Sequence, residues 1–158
     1  MKKFLLTAFL MMCFFNLIFG GSFTEINSSS LTSISYSSIV LGDIDNDGDL
    51  DLILSGTPGS GGISKIYQNN GTGSFTEINP GSLTGVYYSS IALGDIDNDG
   101  DLDLILTGYT DPDSVSKIYQ NNGAGSFTEI NPGSLTGVFN SSIALGDLDN
   151  DGDLDLIL

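Results

Sequence analysis

Five aspartates at alternate positions recur in three short segments of the chain. The first segment reads GDIDNDGDLDLIL from Gly42, and near-identical copies begin at Gly94 and Gly146, 52 residues apart each time. Calcium takes six to eight oxygen ligands at about 2.3–2.6 Å, many of them carboxylates. Five carboxylates within nine residues would also repel one another strongly if no cation were bound. The spacing therefore predicts three calcium-binding loops, at 43–51, 95–103 and 147–155.

The position of each aspartate within a loop indicates how it would contribute. The first, third and fifth positions offer side chains, and a glycine at the sixth position permits a sharp turn. The seventh position can offer its backbone carbonyl, and the ninth can close the coordination sphere. The predicted ligands are Asp43, Asp45, Asp47, Asp49, Asp51, Asp95, Asp97, Asp99, Asp101, Asp103, Asp147, Asp149, Asp151, Asp153 and Asp155.

Other interpretations of the loops fit less well. The first half resembles an EF-hand loop, but its twelfth position is leucine and a strand-like segment follows. Magnesium demands stricter octahedral geometry and keeps its waters. Zinc and copper would require nitrogen or sulfur ligands, which the loops lack. An acidic turn that binds nothing is the remaining alternative.

The charge of the chain excludes several classes of function. Its formal net charge is −16, with four Lys and Arg residues and no histidine. Such a chain cannot neutralise nucleic-acid phosphates, and it offers no basic patch to a membrane surface. Without histidine it has neither a Ser-His nor a Cys-His nucleophile system. We therefore predict no catalytic residue and a protein that is not an enzyme.

The first 21 residues read as a secretory signal peptide. Lys2 and Lys3 precede an apolar run from Phe4 to Phe19, and small residues follow it at Gly20, Gly21 and Ser22. The alternative is an uncleaved membrane anchor. The only cysteine, Cys13, lies inside this leader, so we expect a mature chain from residue 22 without disulfides, secreted or displayed on the cell surface.

The 52-residue period predicts an all-β fold of tandem four-stranded blades. Short apolar segments enter and leave each acidic loop, and the Asn70-Gly71 turn joins two further strand-like segments. Repeats of about 40–50 residues with four strands are typical of a β-propeller, and a β-solenoid is the structural alternative. The pattern comprises about two full blades plus parts of two others, with Phe23 to Ile26 as an isolated fourth strand. We expect either a fragment or a chain whose copies associate.

The loop and the hairpin together resemble the FG-GAP/VCBS repeats of integrin α-subunit propellers and of secreted bacterial proteins. The resemblance rests on Gly94 to Leu104, Ser116 to Gly123 and Ser126 to Ile130, and it extends over residues 22–158. It implies a β-propeller with calcium in the loop between the first two strands of each blade. The three aspartate sets given above match that loop. Copy number departs from the family pattern, since such propellers usually have about seven blades.

These observations predict a calcium-binding adhesion or ligand-binding module in which calcium is structural. The expected partner is a protein or a glycan held at one propeller face. Tyr36, Tyr87, Tyr88 and Phe139 could form an aromatic contact surface there, or could simply pack. The alternative function is an ancillary propeller of a secreted carbohydrate-active enzyme, such as a polysaccharide lyase.

Overall fold

The computed structural model describes residue 25 and residues 30–78, 83–130 and 135–158. The strands are β1 (Ser35–Gly42), β2 (Asp51–Thr57), β3 (Ile63–Asn69), β4 (Phe75–Ile78), β5 (Tyr87–Gly94), β6 (Asp103–Tyr109), β7 (Ser114–Asn121), β8 (Phe127–Ile130), β9 (Ala144–Gly146) and β10 (Asp155–Ile157). Within these ranges no helix has the length and hydropathy required to cross a bilayer.

The strands form antiparallel sheets that repeat along the chain. The first sheet has the order β1-β2-β3-β4 and the second the order β5-β6-β7-β8, while β9 pairs with β10. The first two sheets pair in the same register, so that Leu52 faces Tyr67 as Leu104 faces Tyr119. The all-β prediction of four-stranded blades in tandem is therefore confirmed. The described residues form two full blades and half of a third, which do not close a ring. The predicted leader, and all of the predicted opening strand except Glu25, lie outside these residues.

Alternation along the strands gives each sheet two apolar faces of different composition. Cross-strand partners share a face, so Ile53, Ile66 and Ile78 lie together, as their pairing requires. Leu52 and Leu54 point to the opposite face, with Tyr67 beside them. We call these the isoleucine face and the leucine-tyrosine face. A sheet that is apolar on both sides has to be covered on both sides.

Successive sheets satisfy this requirement by stacking unlike faces. Ile53 and Ile66, from the isoleucine face of the first sheet, share one core with Leu104 and Tyr119 of the second sheet. Val40 and Ile91 join the same core from β1 and β5. Since each repeat has the same two faces, the contact between neighbours can be repeated indefinitely. This arrangement is the stacking of propeller blades.

A buried tyrosine in each sheet fixes the segment that leads into that sheet. The Tyr119 hydroxyl accepts a hydrogen bond from the backbone N–H of Thr84 at 3.0 Å and donates one to Thr84 Oγ1 at 2.9 Å. Tyr67 makes the same pair of contacts with Thr32 in the first sheet. The ring is fully buried in both copies. The hydroxyl therefore satisfies backbone polarity at the point where the chain passes between sheets.

Replacing this hydroxyl should destabilise the fold. We expect Tyr119→Phe to lower the free energy of unfolding by about 1–3 kcal/mol, because the Thr84 N–H would lose its acceptor. Tyr109→Phe is the matched control, since its hydroxyl makes only an exposed 3.5 Å contact with Asp111; we expect a loss of less than about 0.5 kcal/mol. Urea unfolding measures both, and equal losses would contradict the assigned role.

Candidate metal centre

The three acidic loops join the first and second strands of each repeat. The first loop starts after Gly42, at the end of β1, and leads into Asp51, the first residue of β2. Asn46 and Gly48 have positive φ angles of 60° and 93°, and the other two loops repeat both values within a few degrees. Asn and Gly are the residues that enter this left-handed region most readily. The Asn-Asp-Gly sequence thus allows the chain to reverse within a few residues.

The first aspartate of each loop accepts hydrogen bonds from the turn. The two carboxylate oxygens of Asp43 accept from the backbone N–H groups of Asp47 at 3.1 Å and Gly48 at 3.0 Å. Asp95 and Asp147 make the equivalent contacts at 3.0–3.1 Å. These bonds fix the curvature of the loop, and they hold the first aspartate in the interior of the turn.

In the first two repeats the last aspartate of the loop is buried and is hydrogen-bonded to the sheet. In Asp51 one carboxylate oxygen accepts from Asn69 N at 2.8 Å and the other from Ile44 N at 3.2 Å. Asp103 accepts from Asn121 N at 2.8 Å and from Ile96 N at 3.0 Å. Each carboxylate thereby joins the loop to the third strand of its own sheet. In the third repeat Asp155 keeps the contact to Leu148 N, at 2.8 Å.

Burial raises the pKa of Asp51 and of Asp103 above the ordinary value. The loss of solvent is the largest cause, and the negative charges of the neighbouring loop aspartates add to it. The two backbone N–H donors act in the opposite direction and do not fully offset the cost. The loop thus holds a buried anion that would be stabilised by a positive charge placed beside it.

Carboxylate oxygens converge in every loop. Three aspartates in each loop place oxygens within 4.8 Å of one another, and these groups are Asp43, Asp45 and Asp51, then Asp95, Asp97 and Asp99, then Asp147, Asp149 and Asp155. An all-oxygen group on one tight turn fits a hard cation such as calcium. The residues present therefore fit the metal that the loop sequence predicts. The converged groups do not include Asp47, Asp49, Asp101, Asp103, Asp151 and Asp153, whose predicted roles as ligands stay predictions.

The seventh-position aspartate connects neighbouring loops. Asp101 Oδ1 accepts a hydrogen bond from Asn46 Nδ2 of the preceding loop at 2.8 Å, and Asp153 accepts from Asn98 at 2.7 Å. Each of these side chains contacts the preceding repeat through one carboxylate oxygen, and the role predicted from the sequence for this position uses the backbone carbonyl. Consecutive loops therefore form one hydrogen-bonded ladder.

Further residues support the loops although their sequence carries no acidic signal. Gln68 donates to Asp45, and Gln120 donates in the same way to Asp97. Asn121 Nδ2 donates to the carbonyl of Ile44 in the preceding loop at 2.8 Å. The only sequence signal for these contacts is that the KIYQNNG segment recurs 52 residues apart.

Comparison with protein families identifies the repeat. A model described as an FG-GAP-like repeat matches residues 43–106 and 105–158, so that it extends over most of the chain. The first match includes the acidic loops at 43–51 and 95–103, and the second match includes the loop at 147–155 with the strands β9 and β10 that flank it. A search of curated proteins finds no significant match.

The ladder between loops can be tested with a matched pair of substitutions. We expect Asn46→Ala to reduce the free energy of unfolding by about 1 kcal/mol more than Asn150→Ala, measured in dilute protein with calcium present. Both substitutions remove an asparagine at positive φ, 60° in one case and 62° in the other. Of these two asparagines, Asn46 donates to the next loop, whereas Asn150 makes no such contact within the described residues. Equal losses would show that backbone conformation, and not the contact to Asp101, is what Asn46 contributes.

Proposed function

Because the chain belongs to the FG-GAP-like repeat family, we propose that it is an exported β-propeller-type module that binds calcium in its acidic loops. The observation that carries this proposal is the convergence of three carboxylates within 4.8 Å at the same place in each repeat. The calcium is structural, and the function of the module is to bind a protein or glycan ligand at one end of the sheets.

Calcium is proposed because the loops are strained electrostatically without it. Of the 20 acidic residues in the chain, each loop contains five. The buried carboxylates of Asp51 and Asp103 lie near other negative charges, and their hydrogen-bond donors among the described residues are backbone N–H groups. A divalent cation within the converged oxygens would reverse the local repulsion. Its binding free energy then adds to folding, because the unfolded chain does not hold the oxygens together.

We infer export from the predicted leader at residues 1–21 and from the affinity expected of calcium sites of this kind. Extracellular calcium modules commonly bind at about 10⁻⁴–10⁻³ M, so millimolar calcium outside the cell would keep such sites largely filled. Without a cysteine after residue 21, the mature chain would depend on metal in place of disulfides. Recovery of the protein with its leader intact, from inside the cell, would contradict this part of the proposal.

The calcium assignment is tested by comparing two double substitutions of equal charge change. We expect calcium to raise the thermal midpoint of the wild-type chain over its value in chelator. At about 100-fold excess over the dissociation constant, each site should contribute roughly 2.7 kcal/mol. Asp43→Asn with Asp45→Asn should bind one calcium fewer in titration calorimetry, whereas Asp111→Asn with Asp113→Asn should behave as wild type. The absence of any shift with calcium would refute the assignment, as would an equal shift with magnesium.

We propose that the ligand surface lies at the ends of the sheets opposite the acidic loops. Tyr36 lies near the start of β1, and its ring centroid is 4.4 Å from that of Tyr88 in the next repeat. Phe139 lies 6.4 Å from Tyr88 and 5.6 Å from Tyr109. Tyr36 and Phe139 are exposed. Exposed aromatic groups of this kind are typical of binding surfaces, since rigid rings bury much area at a small entropic cost.

This surface can be tested with arrays of glycans and of extracellular proteins. We expect the wild-type chain to retain ligands that Tyr36→Ala with Phe139→Ala loses by at least about tenfold in affinity, since central aromatic contacts are commonly worth more than 1 kcal/mol. The control is Thr76→Ala with Thr128→Ala, which changes exposed strand positions away from the aromatic side chains named above. Binding that survives the aromatic substitutions would refute this placement, and a wild-type chain that binds nothing would refute the ligand-binding function.

A further inference from the structure

The turns that join the third and fourth strands contain the same reactive dipeptide in both full repeats. Asn70-Gly71 lies between β3 and β4, and Asn122-Gly123 lies between β7 and β8. An asparagine followed by glycine can lose its side-chain amide, because glycine has no Cβ to hinder attack of its backbone nitrogen on the asparagine Cγ. Both asparagines are exposed. Asn122 is exposed although a repeat lies on either side of it, so this exposure does not depend on a place at the end of the array.

The side chain of Asn70 is held over the backbone that would attack it. Asn70 Oδ1 accepts hydrogen bonds from Thr72 N at 3.1 Å and from Thr72 Oγ1 at 2.6 Å. The first bond forms an Asx turn, and the ring that it closes contains both Asn70 Cγ and the Gly71 nitrogen. The Gly71 N–H donates to none of the described residues. The attacking nitrogen is therefore held within the same turn as its target and is not committed to another acceptor.

The two donors of Thr72 point at the atom on which charge would develop. Attack on Cγ moves negative charge onto Asn70 Oδ1, and donors already placed at such an oxygen lower the barrier. A hydrogen bond to a charged oxygen is also stronger than one to a neutral carbonyl. Thr72 thus supplies a backbone donor and a hydroxyl donor to the same oxygen, which is the arrangement of an oxyanion hole.

The second hairpin is a natural comparison for the first. The segments 64–78 and 116–130 are identical except that Thr72 in the first is Ala124 in the second. Asn122 Oδ1 accepts from Ala124 N at 3.1 Å and from Ser126 N at 3.2 Å. It therefore keeps the Asx turn but has no hydroxyl donor at this position.

The acidic surroundings of the two turns are alike. A Cβ built on Gly71 would lie 2.5 Å from Asp49 Oδ2, and one built on Gly123 would lie 2.5 Å from Asp101 Oδ2. Each glycine thus packs against the seventh-position aspartate of its own acidic loop. Because this neighbour is common to both turns, it cannot make them differ in reactivity. A carboxylate formed in either turn would add negative charge at the loop end of the sheet.

We propose that Asn70 is a site of self-catalysed deamidation, in which Thr72 stabilises the charge that develops on Oδ1. The Gly71 nitrogen forms a bond to Cγ, its proton passes through solvent to the departing amide, and the Cγ–Nδ2 bond breaks to release ammonia. Water then opens the succinimide and leaves aspartate or isoaspartate at position 70. This inference goes beyond the proposed function, because the reaction requires water alone and neither calcium nor a ligand.

The test follows both turns in one sample. The purified chain is incubated in calcium at neutral pH, and peptide mass spectrometry measures the replacement of NH2 by OH at Asn70 and at Asn122. An isoaspartyl methyltransferase identifies the isoaspartate product. Thr72→Ala and Ala124→Thr exchange the one residue that differs between the hairpins, and both variants keep a side chain that one hairpin already carries. Thr76→Ala removes an exposed threonine from β4 and is the control.

We expect Asn70 to deamidate faster than Asn122 in the folded chain. Thr72→Ala should slow the reaction at Asn70 by at least about tenfold, because it removes a donor to the developing charge. Ala124→Thr should accelerate the reaction at Asn122, and Thr76→Ala should leave the rate at Asn70 unchanged. In urea the rates at the two sites should converge, since both turns are lost.

Three results would overturn the proposal. The first is a folded chain in which Asn70 reacts no faster than Asn122. The second is a rate at Asn70 that Thr72→Ala does not lower. The third is slower reaction of Asn70 in the folded chain than in urea, because the turn would then protect the asparagine.

Discussion

The repeat depends on a carboxylate that is buried at the first residue of its second strand. Asp51 is held by two backbone N–H groups, one from the loop and one from β3. Removing it would release the loop from the sheet, while retaining it places a negative charge where water does not reach. A buried charge of this kind requires a compensating partner. The described residues supply only N–H dipoles, so the cation proposed for the acidic loop would stabilise this carboxylate.

The sheets stack in one direction because the two faces of each sheet have different shapes. The isoleucine face of one sheet meets the leucine-tyrosine face of the next, and the same relation extends from repeat to repeat. An interface between unlike faces is heterologous, so two repeats that form it bury one face of each and leave the other face of each free for a further neighbour. Each repeat therefore presents a different face to each of its two neighbours.

The fold could be predicted almost completely from the sequence, because its signals are local. The period, the turn residues and the short apolar segments predicted β2, β3 and β4, and the Asn-Gly turn predicted the hairpin that the structure shows between β3 and β4. The aspartate sets were equally visible, since five acids in nine residues stand out in any chain. No local pattern could predict the hydrogen bond from Asn46 to Asp101, 55 residues away. Nor could it predict the hydrogen bond from Asn121 to the carbonyl of Ile44, 77 residues away. Those contacts exist only once the sheets have stacked, and nothing in the spacing within one loop indicates them.

These long-range contacts also make loops of nearly identical sequence physically unequal. Ile44 lies between two converged aspartates, Asp43 and Asp45, and the next repeat covers its side chain and binds its carbonyl. The neighbour therefore fixes the backbone from which both carboxylates project. In the third loop Leu148 is exposed and the converged aspartates lie nearer to solvent. The burial of the converged oxygens is thus a property of two adjacent repeats. The conformation of the loop is not, because the third loop repeats the φ angles of the first and its aspartates converge at the same three positions.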